Sequence, residues 1–114
     1  MSLAEEKISL TCFSDVLCIW AYIAQARIDE AERQFGSQLD VDYKFCSVFA
    51  DTRHKMATTW LDRGGYEGFA KHLQEVGSQF QHINLHPDIW LTCRPLSSTP
   101  THQTLKAVQH NNPD

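Results

Sequence analysis

Apolar and polar residues alternate near the start of the chain. Ile8, Leu10 and Cys12 are separated by Ser9 and Thr11, and Phe13 follows. A period of two sends successive side chains to opposite faces, so residues 7–13 are expected to form a short strand. Ser14-Asp15-Val16-Leu17 reads as a loop. From about Cys18 to Phe35 the period becomes three and four. Ala21, Ala24, Ile28, Ala31 and Phe35 make one apolar helix face, which Gly36 stops. Leu39, Val41, Tyr43, Phe45 and Ser47 then alternate with Asp40, Asp42, Lys44 and Cys46, a second strand. Strand, helix and strand make a βαβ unit. The intervening helix requires a crossover, so the strands are expected to be parallel and the crossover right-handed.

After Phe49 the pattern is helical. Residues 53–62 form one expected helix, ended by Gly64-Gly65. Tyr66 to Phe80 form another, with Phe69, Leu73, Val76 and Phe80 on one face. Residues 82–97 are irregular and carry Pro87 and Pro95. Ser98 or Thr99 caps a last helix with Pro100 in its first turn and Leu105 and Val108 facing inward; 111–114 read as a turn. The stretch nearest to a third strand is Ile89 to Cys93, and its alternation is poor. Two strands are few for the helix faces to be covered. The fold class expected is therefore α/β, a thioredoxin-like βαβ unit over residues 1–50 followed by a partial helical subdomain over 51–114. The fold is expected to be incomplete, to associate with a partner or with itself, or to pack mainly through helices.

Composition narrows the functional classes. The chain has 114 residues with 42% hydrophobic, enough for one modest core, and a formal charge of −4 from 10 basic and 14 acidic residues. That balance, with no cluster of Lys or Arg, argues against nucleic acid and anionic membrane as partners. The opening residues lack the apolar run of a signal peptide, and no stretch is apolar enough to span a bilayer. Cys12, Cys18, Cys46 and Cys93 are too widely spaced for a secreted disulfide scaffold, so a cytoplasmic setting is expected.

The candidate chemistry centres on Cys18-Ile19-Trp20-Ala21 at the junction of strand and helix. It has the form of a Cys-x-x-Cys redox centre whose second cysteine is missing. A sulfur in the first turn of a helix meets unsatisfied N–H groups and the positive end of the dipole, which favours thiolate over thiol. The loop before it lifts Cys18 to the carboxyl end of a strand, where open α/β sheets place ligand sites. Trp20 shields the thiol or simply packs. Asp15, three residues upstream, is expected to orient the loop or tune the thiol, or to be an ordinary turn aspartate. Ala21 cannot attack a mixed disulfide, so turnover would need an external thiol or one of Cys12, Cys46 and Cys93. Cys12 and Cys46 are expected within strands as small sheet residues. The six histidines match no zinc template. His54, His72, His82, His86, His102 and His110 are each expected at the solvated surface.

Phe13-Ser14-Asp15-Val16-Leu17-Cys18-Ile19-Trp20-Ala21-Tyr22 resembles the active-site segment of the DsbA-like thioredoxin superfamily. That branch includes bacterial disulfide oxidoreductases, 2-hydroxychromene-2-carboxylate isomerases and kappa-class glutathione transferases. Its pattern is an aromatic residue, a polar residue, Asp, two apolar positions and then Cys-Pro-Trp-Cys-Tyr. Phe13, Asp15, Cys18, Trp20 and Tyr22 match; Ile19 stands for the proline and Ala21 for the resolving cysteine. The resemblance implies a helical subdomain inserted after the second strand, and Pro95 to His102 are similar to the family's approach to its next helix. It implies Cys18 as the catalytic residue, with Asp15, Trp20 and Tyr22 supporting it or contacting substrate. The function it implies is a thiol-disulfide oxidoreductase forming mixed disulfides with glutathione or a protein thiol, with no tightly bound cofactor and glutathione as a co-substrate. The alternatives are a glutathione-dependent isomerase or transferase of the same fold, and a non-catalytic binding or assembly domain.

Overall fold

Residues 6–111 are described by the computed structural model. Strand β1 (Ile8–Ser14) leads into helix α1 (Ile19–Phe35). A short 3₁₀ turn (Gly36–Gln38) then enters strand β2 (Leu39–Phe45). The strands pair in parallel, in register from Ile8 opposite Leu39 to Ser14 opposite Phe45. The chain is thus an α/β fold whose β1–α1–β2 unit is followed by further helices, consistent with a thioredoxin-like topology. The alternation in β2 does what its period requires. Leu39, Val41, Tyr43 and Phe45 are half-buried, while Asp40, Asp42 and Lys44 face solvent.

Helix α2 (Thr52–Ala57) starts where the Asp51 carboxylate accepts a hydrogen bond from His54 N–H at 3.0 Å. The single helix expected over 53–62 is in fact α2 plus a separate 3₁₀ turn, Leu61–Arg63. Gly64 ends that turn at φ 95°, a conformation that suits glycine, and α3 (Gly65–Gly77) begins directly after it. α4 (Thr99–Asn111) starts with His102 N–H donating to the Ser98 carbonyl at 3.0 Å. Of the turn expected at 111–114, Asn111 closes α4 and the rest lies outside the described residues.

One hydrophobic core joins the two halves. Ile19 and Ile23 of α1 pack with Phe49, Met56, Trp60, Phe69, Ala70, Leu73, Val76 and Trp90. The two expected segments, 1–50 and 51–114, therefore share their interior. Burying a side chain such as Phe69 contributes roughly 2–3 kcal/mol. Trp90 is the most enclosed of the core residues, flanked by Phe49 at 6.0 Å and Phe69 at 5.3 Å between ring centroids. It adopts φ 69°, strained for so bulky a residue. The strain is held by a turn in which Trp90 N–H donates to the Cys93 carbonyl at 2.7 Å. Residues 89–93 are accordingly a tight turn rather than a third strand.

Two expectations about α4 are reversed. Val108 is exposed, and Leu105 is only half-buried. His102, expected at the surface, is 5% exposed. The inward stripe of this helix is built on a histidine because the groups it meets are polar. At the other edge of the molecule, β1 pairs only with β2 among the described residues, and Ile8 and Phe13 stand in solvent. No helix of the described residues is long and apolar enough to cross a membrane.

Candidate functional site

Cys18 is the N-cap residue of α1, with extended backbone angles of φ −87° and ψ 119°. Its N–H donates to the Asp15 carbonyl at 3.0 Å, and its own carbonyl accepts from Tyr22 N–H at 3.1 Å. The backbone at Cys18 is therefore fixed on both sides. Its thiol makes no capping hydrogen bond and is half-buried. Cys18 thus stands at the N-terminus of a helix of 17 residues with no acidic side chain in its first turn.

Asp15 builds the turn that presents Cys18. Its side chain is buried, 4% exposed, and each contact is one in which the carboxylate accepts. Oδ1 takes the Leu17 N–H at 2.8 Å. Oδ2 takes the Phe49 N–H at 3.1 Å and the Ser98 hydroxyl at 2.9 Å. The first bond is an Asx turn that shapes residues 15–17 locally. The other two tie that turn to the loop after β2 and to the start of α4. The Asp15 carboxylate thus both makes the turn and ties it to neighbouring elements. Ser98 begins α4 through its carbonyl, while its hydroxyl goes to Asp15 instead of capping the helix.

His102 completes this polar hub. Val16 N–H donates to its Nε2 at 3.1 Å, so Nε2 must offer a lone pair. The ring proton then belongs on Nδ1, where the Ser47 Oγ lies at 2.9 Å to accept it. Phe45 stacks on the ring with centroids 5.0 Å apart. Asp15 Oδ1 lies 3.8 Å from Nε2. Sequence reasoning missed Ser47, Ser98 and His102 as parts of the site. The available signal was slight: a histidine on the helix face that the apolar periodicity turns inward.

The remaining expected residues divide between two grooves that both reach Cys18. One, of about 210 Å³, is lined by Leu17, Tyr22, Leu85, Ile89 and Trp90 and is mainly apolar. The Tyr22 hydroxyl there accepts the Asn84 N–H at 3.3 Å. The second, of about 360 Å³, is lined by Phe13, Trp20, Ala21, Ala24, Cys46 and Val48. Trp20 is 55% exposed along that wall and does not pack into the core. Ile19, in the place of the motif's proline, anchors the first helical turn in the core.

All four cysteines are free. Cys12 is half-buried on β1, and its thiol is pushed up by burial and by the nearby Glu32 carboxylate. Cys46, expected within a strand, lies one residue past β2 and is exposed. Its N–H reaches back to the Ser14 carbonyl at 2.8 Å and its carbonyl accepts from Val48 N–H at 2.9 Å, so the ladder gives way to a turn there. Cys93 is exposed in the turn behind Trp90. Among the described residues no three His, Cys, Asp or Glu side chains gather as a metal site. No protein-family model, curated protein or solved structure matches this chain.

Proposed function

We propose that this chain is a thiol-disulfide protein of the DsbA-like thioredoxin kind, with Cys18 as its reactive group. The observation that carries the reading is a free thiol on the N-cap of α1, clear of any capping bond and reached by two grooves. In the proposed step the Cys18 thiolate attacks one sulfur of a disulfide R–S–S–R. The R–S–S–R bond breaks, a Cys18–S–S–R bond forms, and RS⁻ leaves and takes a proton from water. Glutathione disulfide or a protein disulfide supplies R. Asp15 is a positioning residue: it fixes the turn from which the thiol projects and does not touch the reacting sulfurs. The apolar groove beside Tyr22 suits the apolar part of a partner, and Trp20 offers a second contact on the opposite side. A reducing cytoplasm is the compartment that accords with four widely spaced cysteines.

The test is incubation with glutathione disulfide followed by intact-mass measurement and peptide mapping without reductant. In samples trapped with acid at early times one glutathionyl group is expected on Cys18, and Cys18→Ser should take none at the helix terminus. Adducts spread over exposed Cys46 and Cys93 while Cys18 stays unmodified would end the assignment.

Among the described residues one edge of β1 is unpaired, which favours a second reading, a domain that assembles with another chain through that strand. Ile8 and Phe13 are exposed there at 66% and 68%. An unguarded edge with apolar side chains is a template for strand addition. A Cys18 that resists alkylation at neutral pH, together with association that Thr11→Pro abolishes, would favour this reading over the redox one.

A further inference from the structure

The proposed Cys18 chemistry lacks a group to release the bound partner, because Ala21 stands where a second cysteine would act. We infer that Cys46 is the resolving thiol. The inference rests on the reading of Cys18 as the reactive group and adds a second residue to it.

Cys18 and Cys46 come from different elements yet line the same groove, with Ala21 on its wall between Trp20 and Ala24. Ala21, at the motif's second-cysteine position, lines this groove together with Cys18 and Cys46. Cys46 follows the last residue of β2, as Asp15 follows the last of β1, and its N–H is bonded to Ser14. It therefore sits beside the turn that ends in Cys18. It is exposed and stands outside the strand ladder, in a segment where the backbone has already turned at Val48. A disulfide needs Cα atoms within about 7 Å, and a turn can supply a final adjustment that a paired strand cannot.

The other two thiols are placed less well. Cys12 is held inside β1 opposite Tyr43, half-buried, with its thiol pushed up by burial and Glu32. Cys93 belongs to the turn that carries Trp90 and lines neither groove at Cys18.

Cys46 loses its proton to water and its thiolate attacks the Cys18 sulfur of Cys18–S–S–R. The bond from Cys18 to R breaks, a Cys18–Cys46 disulfide forms, and RS⁻ leaves with the electron pair and is protonated. Over the two steps one disulfide R–S–S–R is reduced to two thiols while Cys18 and Cys46 are oxidised.

Full-length wild type and Cys46→Ser are each exposed to glutathione disulfide, trapped with acid at intervals and mapped without reductant. In wild type the glutathionyl group on Cys18 should be transient and give way to a peptide pair joining Cys18 to Cys46. In Cys46→Ser it should persist roughly ten times longer or more, as expected when an intramolecular attacker is lost. Cys12→Ser and Cys93→Ser should follow wild type. An adduct that lasts equally long in wild type and Cys46→Ser, with no joined peptide, overturns the inference and leaves the Cys18 reading standing. Absence of any adduct on Cys18 in both proteins overturns both.

Discussion

The Ser98 hydroxyl donates to Oδ2 of Asp15 at 2.9 Å, across 83 positions of sequence. Through this bond the start of α4 and the turn that carries Cys18 are held as one unit. Replacing Asp15 by Asn exchanges one acceptor oxygen for a donor that must face N–H of Leu17 or of Phe49. A buried polar group left unsatisfied costs about 1–3 kcal/mol. Asp15→Asn is therefore expected to lose about 2–4 kcal/mol and Ser98→Ala about 1 kcal/mol. Urea unfolding should show lower midpoints with unchanged slopes. An Asp15→Asn midpoint equal to wild type would show that the carboxylate does not organise the turn.

His102 makes a related case with a more local readout. Removing the imidazole in His102→Ala strips Val16 N–H of its acceptor and Phe45 of its stacking partner. The expected loss is about 2–4 kcal/mol from the orphaned amide and the lost ring contact together. Beyond the global change, the Val16 amide should exchange with solvent faster relative to amides in the centre of α3. Uniform acceleration across α3 and the 15–17 turn would mean that His102 acts only through overall stability.

The βαβ unit was legible because each element carries one uninterrupted period. Leu39 to Phe45 alternate cleanly, and the three- and four-residue spacing from Ala21 to Phe35 marks a helix, although the residues it buries are Ile19 and Ile23 and Phe35 is exposed. α3 was legible for the same reason, with Phe69, Leu73 and Val76 all buried. The position of Cys18 followed from the abrupt change of period after Ser14. The polar hub was not legible, because Val16 and His102 are 86 positions apart and their bond leaves no local pattern. The inward stripe of α4 was misjudged on Val108, since an apolar residue at helical spacing need not be buried when its neighbours leave that side open. The 82–97 segment hid Trp90, whose left-handed backbone angle is imposed by tertiary packing and not by its own preference.

Gly68 gives a prediction that does not depend on the redox reading. A methyl group at this position of α3 would overlap the backbone carbonyl of Arg63. Backbone cannot step aside as a flexible side chain can, so the 3₁₀ turn and α3 would have to separate. Alanine normally favours a helix over glycine by about 1 kcal/mol. Gly68→Ala should nevertheless destabilise by about 2 kcal/mol or more, within the range of overpacked sites. Thermal unfolding followed by circular dichroism decides the sign, and a raised midpoint would contradict the close approach.

Alkaline pH should weaken the fold through the β1–β2 pair. Cys12 and Tyr43 are register partners. Burial pushes both acids up, from the ordinary 9.0 for the thiol and 10.0 for the phenol; Glu32 adds to both, and the Gln25 hydrogen bond partly opposes the shift at Tyr43. Both groups are neutral when protonated, so as pH rises the unfolded chain releases their protons first. Stability from this pair is then full below about pH 9 and is lost as pH climbs through the raised folded values. Urea midpoints should be level from pH 7 to about 8.5 and fall above it. Cys12→Ala should make the fall shallower, and an unchanged slope would assign the loss elsewhere.

Ala21 lies three residues after Cys18 on the first turn of α1, the separation at which a Cys-x-x-Cys pair closes across a helix terminus. It lines the groove that also holds Cys18 and Cys46. A thiol introduced at this position should attack the same sulfur as Cys46 from within the helix. Ala21→Cys is therefore expected to restore release of glutathione in a Cys46→Ser background. The Cys18 adduct should be shortened by roughly tenfold or more, with a joined peptide from Cys18 to residue 21. Mass mapping of trapped samples measures both. An adduct that persists as in Cys46→Ser alone would show that residue 21 cannot bring a sulfur to Cys18. The likeness to a dithiol motif would then be one of sequence without the geometry that the chemistry requires.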